Sequence, residues 1–192
     1  MAAPTEEVPT LRTARLLLRA FREEDRAPFA AINADPDVMA YMPKRLGADE
    51  GDALYARIVS EWSEHGFGLF AVEVPEVAPF VGFVGLARPA FEASFTPCVE
   101  IGWRLARSAW GHGYATEAAR AVLAFGFETV GLGEILSWTV PQNERSWRVM
   151  ERLGMRHDPR DDFDHPWLPP ESPLRRHVLY RLGVASWRAA RP

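Results

Sequence analysis

The chain has little with which to cross-link, bind polyanions or enter a membrane. It holds one cysteine, Cys98, so no internal disulfide can form, and a reducing, cytoplasmic setting is expected. It lacks a surplus of positive charge. Twenty-two Lys and Arg against 26 Asp and Glu leave a net charge of −4, which gives no basic surface for nucleic acid. No apolar run is long enough to span a membrane, and the opening MAAPTEEVPT has neither the basic start nor the apolar core of a secretory signal. His165 and His177 have no further ligands at metal spacing, so no metal is expected. Internal repeats and linkers are absent. What remains is 192 residues with 47% apolar and 25% charged content. That suits one domain over residues 1–192 with a sizeable core. Within it Met1–Pro9 reads as a loose leader, Asp158–Pro173 as a long loop and Gly183–Pro192 as a tail. The mild acidity is compatible with an amine-bearing substrate.

One stretch organises the rest: VEIGWRLARSAWGHGYATEAARAV, from Val99 to Val122. Glu100–Leu105 alternates and carries β-favouring residues, so it reads as a strand. Trp110–Gly113 is a glycine-bearing loop. From Ala115 the pattern is helical, with Ala118, Ala121, Val122 and Phe125 on one face. A glycine loop feeding a helix N-terminus offers unpaired N–H groups and the positive end of a dipole, an anion site suited to phosphate. Gly113 lets a ligand approach the backbone closely. A nucleotide P-loop needs Lys-Ser or Lys-Thr after the last glycine; Tyr114 and Ala115 stand there. A dinucleotide fingerprint needs the strand to run straight into the glycines, but Ala106–Trp110 intervenes and Thr116 replaces the third glycine. Coenzyme A is the third candidate. Its pyrophosphate would sit on Gly113–Thr116 and its pantetheine arm would run back along Trp103–Leu105.

The remaining chain supplies a mixed architecture. Leu11–Phe21 suggests a strand, and Glu23–Asp25 put acid at the start of a helix ending at Asp35-Pro36. Asp37–Met42 suggests a short turn of helix. Ala48–His65 is an amphipathic helix closed by Gly66. Phe67–Val74 and Phe80–Ala87 form a hairpin across PEVAP. After the glycine loop a helix runs to about Val130, then come a strand over Glu134–Val140 and a helix over Asn143–Leu153. Asn143 suits its N-cap and Gly154 its stop. Met155–His157 starts a strand and Arg176–Leu182 is the last one. The class is α/β (α+β): a mixed sheet flanked by helices.

These motifs resemble the GCN5-related N-acetyltransferases, within them the subgroup similar to ribosomal-protein alanine acetyltransferases. The family's motif Gln/Arg-x-x-Gly-x-Gly/Ala falls on Trp110-Gly111-His112-Gly113-Tyr114-Ala115, with Trp110 in the opening position as the subgroup allows. Thr116-Glu117-Ala118, Asn143-Glu144-Arg145-Ser146 and Leu153-Gly154-Met155 also match, and the resemblance spans roughly Leu11 to Leu182. It implies a mostly antiparallel sheet that splays between its fourth and fifth strands, here Cys98–Leu105 and Glu134–Val140, with the thioester in the opening. It implies acetyl transfer from acetyl-CoA to a primary amine, on a protein N-terminus or a small molecule, by direct attack in a ternary complex. A monomer or homodimer is expected.

The resemblance also implies roles, each with a plainer alternative. Gly111, His112, Gly113, Tyr114, Ala115 and Thr116 hold the pyrophosphate, or merely turn the chain into a helix. Trp103, Arg104 and Leu105 offer backbone groups to the cofactor, or are an ordinary paired strand. Asn143 bonds the cofactor arm or caps its helix. Ser146 protonates the departing thiol, or is a solvated first-turn serine. Many members carry a tyrosine seven residues after the Asn; here that residue is Met150. Glu100 is the candidate general base, directly or through water, because a carboxylate in an apolar cleft has a raised pKa; otherwise it faces solvent. Trp138 stands where some members place a base on the next strand. Cys98 reads as a small buried residue rather than a nucleophile. Asp161, Asp162 and Asp164 form an acidic rim near the acceptor, or are simply solvated. Two other functions stay open: a non-catalytic acyl-CoA-binding module and a nucleotide hydrolase.

Overall fold

A computed structural model describes residues 8–190; most of the expected leader, residues 1–7, lies outside the described residues. β1 (Leu11–Arg12) and β2 (Leu17–Arg19) pair as a tight antiparallel ladder. The single strand expected over Leu11–Phe21 is therefore broken. Its turn is closed by Thr13, whose Oγ1 accepts the Leu16 amide at 2.9 Å. A threonine turn carries no glycine or proline signal, and the leucine run conceals it.

A 3-10 turn over Glu23–Asp25 feeds α1 (Arg26–Ala34), which stops at extended Asp35 before Pro36. Asp37–Met42 is a turn rather than a helix. α2 (Ala48–His65) ends at Gly66 in the left-handed region, φ 71°. β3 (Leu69–Val74), β4 (Ala78–Ala87) and β5 (Glu100–Leu105) form an antiparallel meander. α3 (Tyr114–Ala124) follows the glycine loop and widens into a π turn over Phe125–Thr129, so the helix expected to Val130 changes pitch at its last turn. Then come β6 (Glu134–Thr139) and α4 (Glu144–Arg152).

The C-terminal third holds more structure than its composition suggests. β7 (Arg156–His157) and β9 (Arg176–Gly183) are paired strands. The segment expected as a long loop, 158–173, contains a 3-10 turn over Pro159–Asp161 and β8 (Phe163–Asp164), which pairs with β9 at Phe163↔His177. The expected tail, whose last two residues, 191–192, lie outside the described residues, holds α5 (Val184–Ala189), anchored by Trp187 on the Phe127 ring, with centroids 5.0 Å apart.

Among the described residues the sheet has nine strands, ordered β1-β2-β3-β4-β5-β6-β9-β7 with β8 paired to β9. All neighbours are antiparallel except β5 and β6. One face packs on α3 and α4 through Ile101, Leu105, Ala118, Val122, Ile135 and Met150. The other packs on α1 and α2 through Phe29, Ile32, Tyr55, Ile58 and Phe83. Because side chains alternate along a strand, Ile101 and Leu105 go to the α3 face and Glu100, Gly102 and Arg104 to the α1–α2 face. Under that second face Arg19 and Asp25 form a buried two-bond ion pair, with Nη1–Oδ2 2.7 Å and Nη2–Oδ1 3.0 Å. Arg19 also bonds Glu73 at 2.8 Å.

Candidate active site

β5 and β6 share one register pair, Glu100↔Leu136. The Leu136 amide donates to the Val99 carbonyl at 2.9 Å, and Ser137 Oγ donates to the Ile101 carbonyl at 2.9 Å. Past that point β5 stays with β4 as far as Gly82↔Leu105, and β6 stays with β9 as far as Thr139↔Val178. Among the described residues no hydrogen bond joins residues 102–105 to β6. The two strands open a wedge with its apex at Glu100–Ile101, and β5 leaves that wedge toward the glycine loop.

The loop is built to expose amides. Gly111 (φ 82°) and Gly113 (φ 79°) are left-handed, which glycine adopts without a Cβ clash. Trp110 Nε1 donates to the Leu105 carbonyl at 2.9 Å, pinning the loop to the end of β5. The first main-chain bond of α3 runs from the Glu117 amide to the Gly113 carbonyl, 3.1 Å. None of the N–H groups from Gly111 to Thr116 has a partner among the described residues. Around them His112 stacks on Tyr114, and the Arg15 guanidinium covers the Tyr114 ring at 5.0 Å while pairing with Glu117. Such a cradle fits a diphosphate, through oriented amides and a helix N-terminus.

The α1–α2 side of the wedge carries the titratable groups. Burial, with a smaller contribution from the neighbouring Glu61 charge on α2, lifts the half-buried Glu100 carboxyl to about 8. Glu61 is itself raised, mainly by burial. Burial and the Glu100 charge push the Cys98 thiol up to about 11, so it stays protonated and is no nucleophile at neutral pH. A Cβ built on Gly102 meets nothing within 4 Å, so open space separates Glu100 from Arg104. Trp138 forms the aromatic wall of β6 with Phe91, Phe95 and Phe163. A depression lined by Pro9, Trp62, His65 and Phe125 contains none of these groups.

The structure brings Glu100, Trp103, Arg104, Leu105 and the 111–116 loop onto one strand–loop–helix path. Asn143 and Ser146 lie at the N-terminus of α4, directly after β6. Asn143 occupies the N-cap position, but its side chain makes no capping bond; Nδ2 donates instead to Thr139 Oγ1 at 3.0 Å. Ser146 is half-buried and its hydroxyl has no protein partner among the described residues. Met150 is fully buried in the core and takes no part in the wedge. The acidic rim is a tether: Asp161 bonds Arg181 at 2.6 Å, Asp162 bonds His157 at 2.7 Å, and Asp164 lies 3.4 Å from Arg175. His165 and His177 join the aromatic cluster, each held below its usual pKa by burial. Among the described residues no three His, Cys, Asp or Glu are grouped to hold a metal, and no helix is long and apolar enough to cross a membrane. Sequence reasoning missed Gly102, whose signal was its place between two charged residues of one strand face. It also missed Glu61, which only the fold brings to Glu100, and Arg145, whose guanidinium lies over the Trp110 ring.

The chain is 36% identical over 189 residues to the FsC-acetyl coenzyme A-N(2)-transacetylase of Aspergillus fumigatus, covering 93% of this chain and 78% of that protein. It is 25% identical over 138 residues to the ribosomal protein uS5 alanine N-acetyltransferase of Escherichia coli, covering 70% and 67%. A crystal structure of an acetyltransferase from Agrobacterium tumefaciens superposes with a TM-score of 0.75 at 29% identity, covering 92% and 95%. A family model described as the acetyltransferase (GNAT) domain matches residues 15–156, and the chain belongs to the GNAT family of N-acetyltransferases.

Proposed function

We propose that this chain transfers the acetyl group of acetyl-CoA to a primary amine by direct attack within a ternary complex. The observation that carries this reading is the continuity of the wedge and the cradle. Strand β5 loses β6 as a partner after Ile101 and runs into a loop whose amides from Gly111 to Thr116 are free. The amides and the α3 dipole hold the diphosphate. The edge of Trp103–Leu105 that has no partner strand, its Leu105 carbonyl taken by Trp110, holds the pantetheine arm by strand addition, so the acyl end lies at the apex beside Glu100. When bound, acetyl-CoA supplies the activated acyl carbon. The chain supplies position, worth several powers of ten in effective concentration.

Glu100 accepts the proton that the attacking ammonium must lose, directly or through one water. A carboxylate raised to about 8 lies close to the range of an α-amino group, about 7.7–8.0, so the transfer is nearly balanced at neutral pH. Ser146 relays a proton to the departing thiolate from the α4 side, its hydroxyl taking one from solvent as it gives one up. The relatives named above act through acetyl coenzyme A or on a protein alanine, which supports an amine acceptor of either size.

The test is thiol release from acetyl-CoA with a panel of amines and N-terminal peptides, with mass spectrometry of the acceptor. One added acetyl group on an amine is expected. Tight acetyl-CoA binding without turnover on any acceptor would make the chain an acyl-CoA-binding module instead. Binding of ATP with no affinity for coenzyme A would reassign it to nucleotide chemistry.

A further inference from the structure

Arg104 is a positive charge on the α1–α2 face with no acid to balance it. Its Nη1 donates to Asn33 Oδ1 and its Nη2 to Met42 Sδ, at 3.2 Å for the latter; its guanidinium lies 5.3 Å from the Phe83 ring centroid. All three neighbours are neutral. Among the described residues Arg104 enters no ion pair. Burial alone lowers its pKa, to about 10, with no carboxylate opposing the shift. Burying a cation without a counter-charge is costly, and packed apolar residues would normally serve the fold better. The side chain is nonetheless held in place. Asn33, fully buried, fixes its own amide by donating Nδ2 to the Phe29 carbonyl at 2.9 Å, which turns its oxygen toward the guanidinium. A guanidinium has five N–H donors; these contacts use two, leaving the rest of the planar fork for an anion.

The placement says which anion. Along one face of β5 come Glu100, the open space over Gly102, and Arg104, at successive steps of about 7 Å per two residues. Glu61 adds negative charge at the Glu100 end. The acceptor cleft thus has a proton-accepting acid where the amine must give up its proton and a positive charge two such steps along the strand. We infer that the acceptor is a small amino acid-type molecule, an amine bearing a carboxylate within a few bonds, and that Arg104 binds this carboxylate in a forked pair. The inference rests on the acetyl-transfer reading and narrows it. Arg104 is then a specificity-determining residue, working through its side chain, while the donor is held by the main chain of the same strand. A peptide N-terminus places an amide where Arg104 waits for an acid, and a polyamine places a second cation there.

Thiol release from acetyl-CoA is measured for matched pairs: α-, β- and γ-amino acids, and the carboxamide of each. The free acids should exceed their carboxamides in kcat/KM by about ten- to a hundredfold, the worth of a charge-assisted forked pair. Arg104→Gln should collapse that ratio to near one, and Arg104→Lys should restore part of it. With wild-type protein alone, propionate and butyrate should compete with the amine, while propionamide and butyramide should not. Carboxamides used as well as acids by the wild type overturn the inference and leave acetyl transfer standing. A loss of acetyl-CoA affinity in Arg104→Gln with the acid-to-amide ratio intact also overturns it, by giving the side chain to the donor. Turnover of neither kind, with another amine or an N-terminal peptide acetylated, overturns the inference alone; turnover of no amine on the wider panel overturns the acetyl-transfer reading, and this inference with it.

Discussion

The Arg145 guanidinium lies over the Trp110 ring, 4.4 Å from its centroid, and so joins α4 to the glycine loop. Trp110 in turn donates to the Leu105 carbonyl, which ties the same loop to β5. Among the described residues Arg145 has no acidic partner, so its charge is available beside the exposed amides. Arg145→Ala should weaken acetyl-CoA binding about three- to tenfold, through a lost cation–π contact and a lost charge near phosphate. Calorimetric titration at two salt concentrations checks this. The wild-type advantage should shrink at high salt, since exposed charges are screened over about 10 Å at 0.1 M.

Gly113→Val tests the cradle itself. Its φ of 79° is strained for any L residue and worse for a β-branched one. The new Cβ would lie 3.6 Å from the Arg15 guanidinium, on the side where the diphosphate is proposed. Affinity for coenzyme A should fall at least about tenfold, combining strain with lost amide access. Unchanged affinity in a folded variant would remove the diphosphate from this turn.

Glu100→Gln separates proton transfer from binding. With the carboxyl raised to about 8 by burial and then by Glu61, wild-type kcat/KM should climb as pH passes through 8, and the variant should be slower throughout, keeping only the limb of the amine's own ionisation, while still binding acetyl-CoA. Glu61 and Cys98 titrate beside it, so the Glu61→Gln profile should shift to lower pH without losing its shape. Stability gives an independent reading. The native state keeps a proton that the unfolded chain releases near pH 4.5, so wild-type stability falls between about pH 4.5 and 8. The variant has no proton to lose, and its Tm relative to wild type should rise from pH 5 to pH 8.5. A parallel pair of Tm curves would mean that Glu100 is solvated.

The contrast between what the sequence disclosed and what it concealed follows the range of the interactions involved. Gly66, Gly111 and Gly113 punctuate the chain by their own backbone preferences, so the ends of α2 and the glycine loop are local facts. The β3–β4 hairpin and the alternation of β5 are local as well. β8 was hidden because its two residues are strand only by virtue of β9 and the aromatic cluster of Phe91, Phe95 and Trp138. α5 was hidden because Trp187 finds Phe127 only in the fold. At the site, Glu100 could be named from its strand, while its raised pKa comes first from burial in the fold and then from Glu61, on a helix some forty residues earlier. Asn143 sits at the expected helix end, but Thr139 lies within reach only because β6 stops one short turn before α4.

The Arg19–Asp25 pair predicts a large effect far from the chemistry. Both side chains are buried, and Asp25 also accepts the Arg22 amide at 2.7 Å. Asp25→Asn leaves the Arg19 charge with only Glu73 at 2.8 Å and carbonyl partners. Removing one member of a buried pair typically costs about 3–5 kcal/mol. Chemical denaturation should show a loss of that order with an unchanged m-value. A cost below about 1 kcal/mol would mean that water reaches the pair.

Gly102 offers a substitution that the fold tolerates and the proposed acceptor does not. Its Cβ position meets no atom within 4 Å and its φ is outside the left-handed region, so the Cβ of Gly102→Leu meets neither a clash nor backbone strain. The new side chain would stand between Glu100 and Arg104 on the α1–α2 face, in the space proposed for the amine. Tm should hold or rise slightly, because strand glycines cost conformational entropy. Acetyl-CoA binds by the main-chain edge, so its Kd should change little. The acceptor KM should rise about tenfold or more, and kcat should fall as attack geometry is lost. Wild-type kinetics on every acceptor would place the amine elsewhere, and a lost cofactor affinity would put the pantetheine arm, rather than the amine, over residue 102.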